Sequence, residues 1–353
     1  IIVIVDLKFS IHNFFNVSIT NPPEGIGNFL DGEFKYFKVD NLNEINLEII
    51  FVDKIKVPDK SICLLKDFIY ENGTFYFNFS GSTLCVPIKD ICKENMVVLS
   101  EKKTPEWMIF YVIEKILHVK LLEKDLCFFH AAGIIENGKT VVYSSLQSGG
   151  KTGWAFRGLR NKAGFFGDDL ILVNRSGYVF SYPRRININK YHGTSYRRFL
   201  KSLPISVYIK NRVFILFLCL LRNLLQFHGV VKRRIDELIE SKDTFRVNVN
   251  QIFPDVEIIN NKKVDKLIIA LKTYTRQQTF EKWELKRNIN FMLHNTSNER
   301  LAHAEKYMRA FFAYGDDHSF TVRKYIAELM KKEVNTVSRI LKKCEVETAI
   351  VQH

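Results

Sequence analysis

Paired cysteines are missing from this chain. The six cysteines, at 63, 85, 92, 127, 219 and 344, form no CxxC pair and no zinc-ligand spacing, which excludes a zinc knuckle and a dithiol redox site. Several lie inside apolar runs, such as Leu126-Cys127-Phe128 and Leu218-Cys219-Leu220. They read as reduced core residues and point to a cytoplasmic, reducing compartment. Long hydrophobic runs are also absent. The most membrane-like one, Val213 to Leu221, ends at Arg222, far short of the roughly 20 apolar residues of a spanning helix. It reads as a buried helix, with no membrane span expected. The opening Ile1-Ile2-Val3-Ile4-Val5 is too short for the core of a signal peptide. No internal repeat or low-complexity linker occurs, which excludes a solenoid. Acidic residues are outnumbered, 38 against 52 Lys and Arg, for a net charge of +14. That excess attracts polyanions, whether ATP, RNA, acidic proteins or a membrane surface, without choosing among them.

What the chain does have is length and apolar content: 353 residues with 46% hydrophobic residues permit a sizeable core and two or three domains. Its chemistry is concentrated between Phe128 and Val173. This stretch reads as a strand, a hairpin turn at Asn137-Gly138, a strand from Thr140 to Tyr143, a glycine-rich loop, a helix from Thr152, and a strand ending at Gly167-Asp168-Asp169. The loop Ser145-Leu146-Gln147-Ser148-Gly149-Gly150-Lys151-Thr152 meets the pattern GxxxxGK(S/T) at every fixed position except the first, where Ser145 stands for glycine. Such a loop binds phosphate because successive backbone N–H groups and the positive end of the following helix converge on one anion. Lys151 would add charge for the β- and γ-phosphates and Thr152 a hydroxyl for magnesium. Two adjacent carboxylates where a strand leaves the core are costly unless paired or metal-bound. One can hold magnesium while the other accepts a proton from a substrate hydroxyl.

The order His130-Ala131-Ala132, Gly149-Gly150-Lys151-Thr152, Gly167-Asp168-Asp169 resembles the HPr kinase/phosphorylase family and its HPr-kinase-like relatives. More distantly it is similar to phosphoenolpyruvate carboxykinases. The motif-bearing match covers about residues 125 to 190, with weaker similarity from about 5 to 272. The resemblance implies a carboxykinase-type P-loop fold and phosphoryl transfer from ATP with Mg2+. It implies nucleotide and metal contacts at Lys151 and Thr152, a general base at Asp168, a metal-associated carboxylate at Asp169, and His130 near the transferred phosphate. Relatives often carry a proline-arginine element after the next hairpin, here Pro183-Arg184-Arg185. An arginine there can stabilise the transferring phosphoryl group. The departures are Ser145 and the Gly153-Trp154 pair that follows the loop.

The expected architecture is mixed α/β: a β-rich N-terminal portion over 1–103, a P-loop kinase core over 104–272, and a helical, basic C-terminal region over 273–353. Leu30 to Lys38, Ile45 to Val52, Ser61 to Tyr70 and Thr74 to Phe79 read as strands, with a hairpin turn at Glu71-Asn72-Gly73. Pro105 to Leu122 reads as a helix with Thr104 as N-cap. Its broad apolar face includes Trp107, Phe110, Tyr111 and, among them, Glu114. Between 190 and 245 lies a basic helical insertion in which Arg197, Arg198, Lys201, Lys232, Arg233 and Arg234 interleave with Tyr191, Tyr196 and Phe199. It would cap the site and select the acceptor. Phe245 to Val249, Pro254 to Ile258 and Val264 to Leu271 return to strand character, and Asp316 with Asp317 caps the helix before Phe320.

The expected activity is a kinase acting on a hydroxyl of a protein, peptide or small molecule, in a chain that can assemble with copies of itself. The rival is a nucleotide-dependent RNA- or protein-binding protein without transfer, and a scaffold that has lost activity is a third reading.

Overall fold

In a computed structural model of the chain, the described residues are 6–79, 81–146, 149–161, 164–203, 205–224, 244–273, 279–301 and 304–352, with 233, 235 and 238. The N-terminal run Ile1–Val5, the loop residues Gln147 and Ser148, and the basic residues Lys232 and Arg234 lie outside them.

The first hundred residues build one eight-stranded sheet. Its strands are β1 (Leu7–Ile11), β2 (Phe15–Thr20), β3 (Leu47–Val52), β4 (Ile62–Leu65), β5 (Phe68–Glu71), β6 (Thr74–Phe79), β7 (Ser82–Val86) and β8 (Met96–Glu101), in the order β1-β2-β3-β8-β7-β6-β5-β4. Period-two alternation drives them: Leu47, Ile49 and Phe51 of β3 face inward. Asn72 and Gly73 both take the left-handed conformation that a tight hairpin turn requires. Two expected strands are corrected here. Ser61 to Tyr70 is not one strand but the antiparallel pair β4 and β5, which turns at Lys66-Asp67 with Cys63 opposite Ile69. Leu30 to Lys38 is not β; α1 (Glu24–Glu33) and a 3-10 turn occupy it, because Ile26 and Leu30, four apart, bury one helical face.

Helix α2 (Glu106–Glu123) packs against this sheet and leads into the second half. The expected cap at Thr104 is one position early: Pro105 is the N-cap, and the Thr104 hydroxyl pairs with Ser82 instead. Strands β9 (Leu126–Phe129), β10 (Ala131–Glu136), β11 (Lys139–Ser145), β12 (Phe165–Gly167), β13 (Ile171–Asn174) and β14 (Tyr178–Phe180) follow, with α3 (Lys151–Leu159) between β11 and β12. Next come β15 (Ile186–Ile188), α4 (Thr194–Ser202), α5 (Ile205–Leu224), β16 (Phe245–Val247), the short α6 (Val249–Ile252), β17 (Asn261–Lys263) and β18 (Lys266–Thr273). The chain closes with β19 (Thr279–Glu281), α7 (Leu285–Leu301), α8 (Glu305–Tyr314), α9 (Asp317–Leu341) and β20 (Glu345–Gln352). The core sheet runs β12-β10-β11-β18-β20-β19, and beside it lies a four-stranded sheet β17-β14-β13-β9.

Three more expectations are corrected, and the basic insertion has the solvated face that suits a helical subdomain. The C-terminal region is not purely helical: β20 pairs in parallel with β18 and antiparallel with β19. Pro254 to Ile258 contributes a single bridge, Ile258 to Phe165, rather than a strand. In the helix containing Val213 to Leu221, Leu218 is the only buried residue among the described side chains, while Val213, Leu216, Phe217 and Leu220 face outward. The basic and aromatic residues of α4 separate onto two faces, with Tyr196 and Phe199 in the core and Arg197, Arg198 and Lys201 outside, so those rings offer no stacking platform for bases. As expected, Asp316 caps α9 by accepting from the Ser319 N–H. Among the described residues no helix is long and apolar enough to cross a membrane.

Candidate functional site

The pairing pattern itself brings the motif residues together. His130 is the single residue between β9 and β10, and Asp168-Asp169 lie between β12 and β13. Strand β9 pairs with β13 in one sheet, Phe129 opposite Ile171, while β10 pairs with β12 in the other, Gly133 opposite Gly167. Both crossings from sheet to sheet thus fall at one seam, which forces together groups 39 residues apart. Strand β11 lies beside β10 with Ala131 opposite Ser144, so the loop after Ser145 opens at the same seam.

The loop's glycines have separate reasons. Gly150 sits at φ 93°, the left-handed region, and caps α3. A Cβ on Gly149 would lie 2.4 Å from the Cβ of Ser145, so having serine at the first loop position makes the absence of a side chain at 149 obligatory. The Gly149 N–H closes the turn on the Leu146 carbonyl at 2.8 Å. Gly167 is equally constrained, since a Cβ there would approach the carbonyls of Leu170 and Tyr182 within 3 Å.

Lys151 opens α3 and is nearly buried; its Nζ lies 2.5 Å from His130 Nε2 and 3.2 Å from Asp169 Oδ1. His130 Nε2 is itself 3.1 Å from Asp169 Oδ1. Arg184 Nη2 donates to the other oxygen of Asp169 at 3.0 Å, and its Nη1 pairs with Glu114 of α2. Thr152 donates its hydroxyl to Asp168 Oδ2 at 2.8 Å, while Asp168 Oδ1 is buried with no side-chain or other hydrogen-bond partner among the described residues. Asp169 holds φ 74°, left-handed backbone that a non-glycine residue keeps at a cost of about 1–3 kcal/mol only where its surroundings over-determine it. The Lys151 and Arg184 cations and the His130 ring close on this one carboxylate and do so here.

The two acids are driven apart electrostatically. Burial raises the carboxyl of Asp168, with the charge of Asp169 adding to it, against the opposing pull of Lys151 and Thr152. Burial would also raise Asp169, but contact with His130 and the charges of Arg184 and Lys151 outweigh it and hold that carboxyl well below the usual range. Arg184 is pushed up: burial disfavours its charge, and Glu114 and Asp169 more than compensate.

Of the residues singled out from sequence, His130, Ser145, Gly149, Gly150, Lys151, Thr152, Asp168, Asp169 and Arg184 meet at the seam. Arg185 does not join them; its guanidinium packs on Gly32 of α1. Leu146 points outward, half exposed. The hydroxyl of Thr152 pairs with Asp168, where the resemblance implied a shared site with Asp169. Sequence reading missed Asn295 and Thr296 of α7, which hold His130: Asn295 Oδ1 lies 3.0 Å from its Nδ1, and Thr296 Oγ1 accepts from its backbone N–H at 3.3 Å. No motif marks either residue. Glu114 did carry a signal, an acid on an otherwise apolar helix face.

Beside Asp169 and Arg184 opens a cavity of about 190 Å³, walled by Trp107, Phe110 and Tyr111 of α2, Phe29 of α1 and Arg246 of β16. Among the described residues no cluster of three or more His, Cys, Asp or Glu side chains is arranged to hold a metal alone. Comparison with protein-family models finds no match, and no curated protein matches the chain significantly.

Proposed function

We propose that the chain is an ATP-dependent phosphotransferase of the HPr-kinase-like type, passing a phosphoryl group to a hydroxyl. The observation that carries this reading is the meeting of a glycine-shaped loop, Lys151, Thr152 and two carboxylates of opposite electrostatic character at one seam. In such chemistry positioning and charge do most of the work.

Thr152 and Asp168 are the residues that would hold magnesium. A hydroxyl beside a buried, unpartnered carboxylate oxygen suits a hard cation that takes its remaining ligands from water and phosphate. Bound there, the metal would neutralise charge on the β- and γ-phosphates. The hydrogen bonding thereby favours the reverse of the division between the acids that the resemblance implies. Asp169, which lines the cavity, is the carboxylate placed to receive the acceptor's proton. Without nucleotide, Lys151 helps hold Asp169 low. Phosphates that draw the ammonium away remove part of that restraint, so nucleotide binding itself makes Asp169 more basic. Arg184 remains to balance charge on the phosphoryl group in flight.

The cavity supports a small acceptor. It falls below the roughly 300–1,000 Å³ of drug-sized sites and fits one hydroxyl-bearing side chain or a metabolite of few atoms. Most of its walls come from α1 and α2, which supports acceptor choice by the N-terminal half rather than by the basic insertion.

Thermal shift with ATP, with and without magnesium, and transfer of labelled γ-phosphate to a panel of peptides and metabolites test the reading. Wild type is expected to be stabilised by magnesium-ATP and Lys151→Met is not. Asp169→Asn should keep nucleotide binding and lose transfer, and Asp168→Asn should lose the magnesium dependence of binding. A wild-type chain indifferent to magnesium-ATP at millimolar concentration refutes it.

A further inference from the structure

The Asn295 amide has only one possible orientation. Its Nδ2 lies 3.1 Å from the His130 carbonyl and 3.0 Å from the Ser145 carbonyl, two groups that can only accept, so this atom must be the NH2. The third neighbour of Nδ2, Ser144 Oγ at 3.1 Å, donates its own hydrogen to the His130 carbonyl and is therefore free to accept. The amide oxygen is then the atom facing His130 Nδ1, and an oxygen there requires a hydrogen on Nδ1.

The other ring nitrogen has two neighbours of opposite demand, the Asp169 carboxylate at 3.1 Å, which can only accept, and the Lys151 ammonium, and the shorter contact, to Lys151, is the one that agrees with Asn295. Nε2 faces the Lys151 ammonium at 2.5 Å, and an ammonium can only donate. A hydrogen on Nε2 would set donor against donor at Lys151 and, in the neutral ring, lone pair against lone pair at Asn295.

We propose that Asn295 is a positioning residue that locks neutral His130 in the Nδ1–H tautomer, so that the Nε2 lone pair seats the Lys151 ammonium against Asp169. In this form His130 does not donate to Asp169 or to a phosphate; the ring acts on that carboxylate by seating the Lys151 ammonium beside it, together with Arg184. The same amide ties the end of β11, where the loop begins, to the residue between β9 and β10. An α7 residue 165 positions away in the chain thus belongs to the site. The catalytic meaning of this device rests on the phosphotransferase reading; the tautomer does not.

The test is a long-range 1H–15N correlation of the histidine rings in the full, histidine-labelled chain at pH 8, without nucleotide. His130 is assigned by its loss in His130→Asn or, should that variant not fold, through its backbone resonances. Wild type is expected to show Nδ1 protonated and Nε2 bare. Asn295→Ala should lose that pattern. Asn295→Asp should keep it, because a carboxylate oxygen still accepts from Nδ1, while the ties to the two carbonyls are lost. A wild-type ring protonated at Nε2, or an Asn295→Ala ring unchanged from wild type, overturns the proposal; should Asn295→Ala not fold, the wild-type and Asn295→Asp spectra decide. Failure of the chain to bind magnesium-ATP would remove the phosphotransferase reading and leave this result standing.

Discussion

Removing Arg184 should destabilise the protein more than any catalytic role would explain. Its side chain is 12% exposed, and the Glu114 side chain opposite it is 9% exposed. Arg184→Met leaves the Glu114 carboxylate buried with the Tyr182 hydroxyl, 3.4 Å away, as its remaining described partner. Breaking a buried ion pair from one side costs about 3–5 kcal/mol. A direct Coulomb figure agrees, about 4 kcal/mol for unit charges roughly 4 Å apart at an effective dielectric of about 20. The double variant Glu114→Gln/Arg184→Met removes the stranded charge and should regain more than half the loss. Urea unfolding followed by tryptophan fluorescence reads both, and Trp107 lines the cavity next to the pair. A single variant within about 1 kcal/mol of wild type, or a double variant no more stable than the single, refutes the reasoning.

The two acids should respond to pH in opposite senses. Asp169 is held below its unfolded value of about 3.9, so its contribution is complete above that pH and fades as the solution is acidified. Asp169→Asn should flatten the acid side of the stability curve. Asp168 is raised, so its buried charge costs stability above its folded pKa and the cost is relieved as pH falls. Asp168→Asn keeps an oxygen for Thr152 and should stabilise the chain at pH 7 by about 1 kcal/mol or more; a less stable variant in a neutral thermal melt would count against the electrostatic account. Gly150→Ala meets no atom of the described residues closer than 4.0 Å, so its cost is backbone strain, about 1–2 kcal/mol, accompanied by weaker phosphate binding. A chain ending before Glu345 exposes β18 and β19 along their β20 edges and should fail to give a cooperative unfolding transition; a normal transition would show that β20 is dispensable.

Local chemistry was readable without coordinates wherever the signal was short in range. The Asn137-Gly138 turn, the strand-loop-helix around Lys151, the return strand to Gly167 and the cap at Asp316 follow from positive-φ residues, alternation and side-chain oxygens acting within a few positions. The nomination of His130, Lys151, Thr152 and Asp168-Asp169 as one site also came from sequence. Their convergence, however, depends on two strand pairs crossing between sheets at the same level, and no local preference encodes that register.

Three things were decided only by tertiary structure. The final strand begins 72 residues beyond the end of β18, each pair between the two, such as Lys266 with Glu345, spans 79, and the pairing depends on the α7 to α9 excursion bringing it back. Of Arg184 and Arg185, adjacent and chemically alike, opposite directions along an extended backbone send one to Asp169 and the other to α1. Asn295, unremarkable in its helix, acquires a role because a single amide can satisfy two carbonyls and a ring nitrogen only when the fold has placed all three around it. Sequence specified which groups were present; the register of the sheets fixed which of them touch, because hydrogen-bonding and ionic contacts act over ångströms while the residues that make them lie far apart along the chain.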